Sequence, residues 1–210
     1  MVNDGNIRPD GPRTLGSAEE REARAGRIRA AHIQPLTALV QAIRSETGLG
    51  VPNFDPADGG VGARLLFLLE APGKKAVGSG FVSRNNPDET AKNFFELNHA
   101  AGIPRQDTVI WNIVPWYLGS GTKIRPARVS DIAAASPYLA RLLAELPKLE
   151  IVVLVGRKAQ KAKDEVSKLL PLVRVVTMPH PSPLYVNRLK GNRAQILSRL
   201  EEIAQLLFPS

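Results

Sequence analysis

Four short apolar runs, Leu65 to Leu69, Val109 to Val114, Ile151 to Val155 and Val173 to Met178, constrain this chain more than any other feature. Each is too short for a helix, and β-branched residues dominate the last three. Near-continuous apolarity of this kind suits strands buried on both faces. Helical patterns separate them. Asp88 precedes Phe94, Phe95 and Leu97; Ser136-Pro137 reads as a cap and first helical position before Leu139, Leu142, Leu143 and Leu146; Arg157 to Leu170 and Asn187 to Leu207 follow. Upstream, Ala18 to about Thr47 reads as one helix kinked at Pro35 or two helices in series. Strands alternating with helices predict an α/β fold with a short, mainly parallel four-stranded central sheet covered on both sides.

A chain of 210 residues closes one core and has little material for two, so residues 17–210 are expected to form one domain. Residues 1–16 mix Gly, Pro, Asn, Asp and Arg without periodicity and read as a disordered leader. The net charge of +8 favours a polyanionic partner, although it also serves plain solubility. The absence of cysteine removes disulfides, thiolate nucleophiles, the usual zinc sites and cysteine-held iron–sulfur clusters. Three histidines make a histidine-rich metal site a poor fit, so no cofactor or metal is expected. No apolar stretch approaches 18 residues, which predicts a cytosolic or chromosome-associated protein with no membrane partner.

In open parallel sheets, ligands bind outside the carboxyl ends of the strands, so the residues leaving each strand come first. Glu70-Ala71-Pro72-Gly73 sets a carboxylate directly after an apolar run and then turns sharply; a helix cap or loop contact explains such a carboxylate equally well. Asn112 sits inside an otherwise apolar strand, where its amide needs partners, either neighbouring backbone or a planar ligand. Pro179-His180-Pro181-Ser182-Pro183-Leu184 is stiff enough to hold His180 and Ser182 in fixed positions. Gly156-Arg157-Lys158 reads either as a tight turn or as a helix N-terminus meeting a phosphate.

Taken in order, Glu-Ala-Pro-Gly at 70–73, Gly80-Phe81, Asn112 and His-Pro-Ser-Pro-Leu at 180–184 resemble the motifs of the uracil-DNA glycosylase superfamily over about residues 64–188. The resemblance implies a three-layer α/β/α sandwich and excision of a damaged or misplaced base from DNA by cleavage of its N-glycosidic bond. It implies a monomer acting on single- or double-stranded DNA. Within it, Leu184 would be the wedge entering the duplex, Phe81 would stack on the flipped base, and the Asn112 amide would pair with the polar edge of that base. His180 would donate to the departing base and Glu70 would face the sugar. Ala71, Pro72 and Gly73 would lie at the substrate. Ser182, Lys74, Lys75, Arg188, Lys190 and Arg193 would hold the DNA backbone, though each also reads as an ordinary surface group.

The departures from the family pattern matter. Ala71 stands where several branches carry an Asp or Asn that handles water, and Leu69 replaces the Gly that usually opens the motif. Gly73 stands where the uracil-restricted branch has a bulky Tyr, which predicts a wider pocket admitting other deaminated bases. Branches sharing Glu-Ala-Pro-Gly generally hold an iron–sulfur cluster through four cysteines, so this chain belongs with a cysteine-free branch. The competing expectations are a catalytically silent protein that grips uracil or abasic sites, and a nucleotide or phosphate enzyme using the same crevice.

Overall fold

In a computed structural model, which describes residues 10–120 and 123–209, the four apolar runs are the strands β1 (Leu65–Leu69), β2 (Thr108–Asn112), β3 (Ile151–Val155) and β4 (Arg174–Met178). They form one sheet in the order β2-β1-β3-β4, and every neighbouring pair is parallel. Both pleat faces are covered. Leu65, Leu66, Phe67 and Leu68 are all fully buried, as the unbroken apolar run requires.

Helices α1 (Ala18–Gly26), α2 (Gln34–Thr47), α3 (Lys74–Ser79), α4 (Glu89–Ala100), α5 (Val129–Ala144), α6 (Gly156–Ala159), α7 (Lys163–Leu169), α8 (Pro183–Val186) and α9 (Asn192–Leu207) complete the sandwich. α2 packs on α5, while α4, α8 and α9 pack on one another. Leu36, Val40 and Ile43 of α2, Leu139, Leu142 and Leu143 of α5, Phe94 and Leu97 of α4, and Ile196, Leu200 and Ile203 of α9 join the sheet in one core.

Register positions the site. Leu69 lies opposite Asn112 and Val155 opposite Met178, so the strands end level and the loops leaving them share one edge.

Local signals succeeded where caps are simple. Asp88 caps α4 by accepting the Ala91 amide at 2.9 Å, and Pro35 sits in the first turn of α2, resolving the choice in favour of two helices. The start expected at Ser136-Pro137 is corrected: α5 begins at Val129, with Asp131 accepting the Arg128 amide at 2.7 Å and Pro137 inside the helix. The Ser136 hydroxyl instead donates to Glu165 of α7. Ser182-Pro183 is the pair that opens a helix by this rule, as the cap and first residue of α8. The long helices expected over 157–170 and 187–207 are broken, the first into α6, a 3-10 turn and α7, the second by residues 187–191 between α8 and α9.

The leader expected over residues 1–16 lies outside the described residues as far as position 9. From Asp10 onward the chain packs rather than staying loose: Leu15 is fully buried and Asp10 pairs with Arg105 at 2.8 Å. The Asp10–Arg105 tie is polar and distant in sequence, and Leu15 is a single apolar residue, so periodicity carried no sign of either. Among the described residues no helix is long and apolar enough to cross a membrane.

Candidate active site

The β1 exit is built by continuing the sheet past its last residue. The Ile113 amide donates to the Leu69 carbonyl at 2.8 Å and the Val114 amide to the Glu70 carbonyl at 3.0 Å, so the backbone of Glu70 is held as part of the ladder. Its carboxylate accepts the Ala127 amide at 2.6 Å, and Lys158 donates to the Ala127 carbonyl at 2.9 Å. The chain then turns through Pro72 and Gly73 into α3.

Beside this turn opens a cavity of about 320 Å³, at the small end of the roughly 300–1,000 Å³ typical of ligand sites. Ala71, Pro72, Gly73 and Lys74 form one wall, Ser83, Arg84 and Asn86 a second, and Asp88, Thr90 and Phe94 a third. Ile110 and Asn112, two apart on β2 and therefore on one face, form its inner end with His180.

Asn112 is 4% exposed, and its amide nitrogen is buried without a hydrogen-bond partner. Such a group costs about 1–3 kcal/mol, so an unpaired donor at a cavity calls for an acceptor from a ligand. The alternative that Asn112 merely satisfies neighbouring backbone fails for this nitrogen.

His180 sits where cavity and sheet edge meet. Gly156, at φ +82°, lies against it: a Cβ there would stand 3.1 Å from the His180 Cβ and 3.4 Å from its Cδ2. Gly156 opens α6, so the chain does start a helix there, and the close approach of His180 gives the glycine a reason the sequence did not carry. Burial pushes the imidazole below its ordinary value, against the pull of Glu70 and Asp88, so the ring is neutral near pH 7 with one N–H to donate. Asn93 of α4 fixes the loop from behind, donating to the Pro181 carbonyl at 3.0 Å and accepting from Arg193 at 3.1 Å.

Not every expected residue meets the cavity. Phe81 is buried but does not line it; in the short strand Phe81–Val82, alternation sends Val82 there instead. The aromatic ring at the cavity is Phe94, packed edge-on against Phe67 with ring centroids 4.8 Å apart. Glu70 also lies outside it, in a neighbouring basin lined by Gly156, Arg157, Lys158, Lys161 and His180. The carboxylate inside the cavity is Asp88, legible in the sequence only as a cap. Nothing in the sequence separates it from any other cap, because only the docking of α4 turns it toward the site.

Leu184, in the first turn of α8, is 84% exposed. The Ser182 oxygen accepts the Tyr185 amide at 3.3 Å, which leaves its hydroxyl hydrogen to donate. Lys74 and Lys75 are exposed at the cavity and Arg188 and Lys190 are exposed after α8, whereas Arg193 is engaged by Asn93 and Glu96. Among the described residues no group of His, Asp or Glu is placed to hold a metal ion.

A model of the uracil DNA glycosylase superfamily matches residues 56–204. The fold is similar to that of Pedobacter heparinus SMUG2, with a TM-score of 0.57 at 13% identity over 84% of this chain and 85% of that one. A Methanosarcina acetivorans protein described as a candidate uracil DNA glycosylase aligns with a TM-score of 0.47 at 16% identity, over 68% of this chain and 91% of that one. No curated protein matches the sequence at a significant level.

Proposed function

The chain belongs to the uracil DNA glycosylase superfamily, and from that premise we propose that it excises uracil, and other deaminated bases, from DNA by hydrolysing the N-glycosidic bond of an extruded nucleotide. The observation that carries the reading is the unpaired amide nitrogen of Asn112, buried against a cavity of about 320 Å³. A base oxygen supplies the acceptor it lacks. An exocyclic amino group at the same point would leave two donors facing each other, which discriminates strongly against cytosine.

Extrusion costs a few kcal/mol, offset by cavity contacts and by Leu184 filling the space left in the duplex. Phe94 offers an apolar face to the base, and Lys74 with Ser182 holds phosphates on either side. As the bond from the sugar to the base nitrogen breaks, its electron pair passes to the base and positive charge spreads over the sugar. The neutral His180 ring donates its N–H to the base oxygen that becomes negative. A carboxylate facing the sugar stabilises the cation and takes the proton of the water that attacks it.

Asp88 suits that second role better than Glu70 because it lines the cavity and Glu70 does not; each keeps one oxygen free, the other being held by a backbone amide, Ala91 for Asp88 and Ala127 for Glu70. This assignment answers the question posed by Ala71, since the water need not be handled from the motif that Ala71 occupies. Glu70 keeps an electrostatic part through its pull on His180.

The test is release of base from a uracil-containing oligonucleotide. We expect His180→Ala and Asp88→Asn each to lower kcat by roughly 10²–10³, and Glu70→Gln to lower it less. DNA binding with no release by the unaltered protein would establish the silent binder instead. A Cβ at Gly73 meets nothing within 4 Å, so the wall is open there. Activity confined to uracil across a panel of lesion oligonucleotides would overturn the broader base range.

A further inference from the structure

The cavity wall formed by residues 83–88 is not held by its own strand ladder. Arg84 is tied to Thr108 at 2.5 Å and Asn86 to Ser79 and Phe81 at 2.6 and 2.9 Å, and a further set of ties runs from Asn85 and Ser83 toward the N-terminal segment. The Asn85 side-chain amide donates to the Asp10 carboxylate at 2.9 Å and to the Gly11 carbonyl at 2.6 Å, and its oxygen accepts from Arg105 at 2.6 Å. The Leu15 amide donates to the Asn85 carbonyl at 3.1 Å, and Leu15 itself is fully buried. Arg13 pairs with Glu89, the residue after Asp88. Arg21 closes the turn by donating to the Leu15 and Gly16 carbonyls at 3.0 and 2.9 Å.

Beneath these lies a second tie. Asp55, 1% exposed, accepts from Arg24 at 2.5 Å, from Arg105 at 2.7 Å and from the Ser83 hydroxyl. Burial raises its pKa, but Arg105, Arg24 and the hydrogen bonds from Ser83 and the Ala57 amide outweigh that and keep it ionised. Arg24 and Arg105 thus grip one carboxylate that in turn grips Ser83, while Asp10 grips Arg105 and Asn85 from above. Of the two residues held, Ser83 lines the cavity itself and Asn85 lies between Arg84 and Asn86, which also line it.

We propose that residues 10–24 are a strap that positions the cavity wall, with Asp10 and Arg24 as positioning residues acting through Asn85 and Asp55. Neither touches the substrate. Without the strap, the wall must be ordered by the incoming base, and apparent affinity falls by the fraction of molecules already in the competent arrangement. Once base is bound, the wall is the same and chemistry proceeds as before. The kinetic part of this inference rests on the glycosylase reading; the structural part does not.

Asp10→Ala is the appropriate variant, because the Asp10 side chain is 44% exposed and its removal leaves no cavity in the core. Asp10→Asn, which keeps an oxygen for Asn85 and Arg105, is the conservative partner. Two measurements are made on both, in the full chain: amide hydrogen exchange, and KM and kcat for base release. For Asp10→Ala we expect exchange over residues 82–89 to rise at least tenfold with the β1 and β3 amides unchanged. We expect KM to rise about fivefold with kcat within about twofold of the parent, and Asp10→Asn to recover most of both effects. Unchanged exchange at 82–89, a rise spread equally over the strands, or a loss in kcat at constant KM would overturn the strap. If the unaltered protein releases no base, the glycosylase reading fails, and hydrogen exchange alone decides the strap.

Discussion

Replacing Gly156 with Ala tests the geometry of the site at a point that makes no contact with substrate. Two costs can be worked out. The residue adopts φ +82°, and a side chain in the left-handed region costs roughly 1–2 kcal/mol. The new methyl would also stand 3.1 Å from the His180 Cβ, against an ordinary carbon separation of about 3.5–4.0 Å, so the histidine must retreat by roughly half an ångström. A misplacement of about 1 Å can cost roughly a hundredfold in rate, so half of that corresponds to about tenfold. We therefore expect kcat for base release to fall about tenfold in single-turnover assays. Thermal unfolding should begin earlier, with Tm lower by about 2–8 °C at 2–4 °C per kcal/mol for a domain of this size. Gly50→Ala, where φ is not positive and a Cβ meets nothing within 4 Å, is the control and should change neither. Unaltered kcat in a Gly156→Ala protein that has lost the expected stability would refute the reasoning, because it would mean that the seat of His180 is not what sets the rate.

Asn112→Leu removes the unpaired buried donor, and we expect the protein to become more stable by about 1 kcal/mol while base release falls by at least roughly tenfold, measured by urea unfolding and single-turnover assays. His180 has a folded pKa below its unfolded one, so the stability it contributes is complete above about pH 6.5 and is lost as pH falls from there through the folded value. Unfolding free energies between pH 5 and 8 should show that loss, and His180→Gln should abolish it. DNA affinity should fall steeply with salt, and Lys74→Ala should reduce the slope of log affinity against log salt by roughly 0.9, the signature of one phosphate contact; an unchanged slope would remove Lys74 from the interface.

The strands were legible because burial on both faces writes itself into composition: a run such as Ile151-Val152-Val153-Leu154-Val155 has no other stable place in a protein of this kind. The caps at Asp88 and the proline at 35 were legible because they act within one turn. Ser136-Pro137 misled because its hydroxyl is spent on α7, a partner 29 residues away that no local rule can see. His180 and Asn112 were legible for a related reason. A polar residue in a setting that disfavours it, whether a buried strand or a proline-locked loop, stands out against its neighbours.

Residues whose importance lies in what they face carried no such mark. Phe81 and Val82 are both apolar, and only pairing of their strand with Asn53–Phe54 decides which of the two reaches the cavity. Asp88 looked like any helix cap until α4 was docked with its first turn toward His180. By itself, then, the sequence determined the element types, the parallel sheet and the two proline-bearing loops, because those follow from local sterics and from patterns of burial. Only the tertiary structure decided which carboxylate enters the cavity, which ring lines it, and that the chain from Asp10 braces its wall. Those outcomes depend on the level strand ends and on polar contacts spanning up to 95 residues of separation, which no periodicity records.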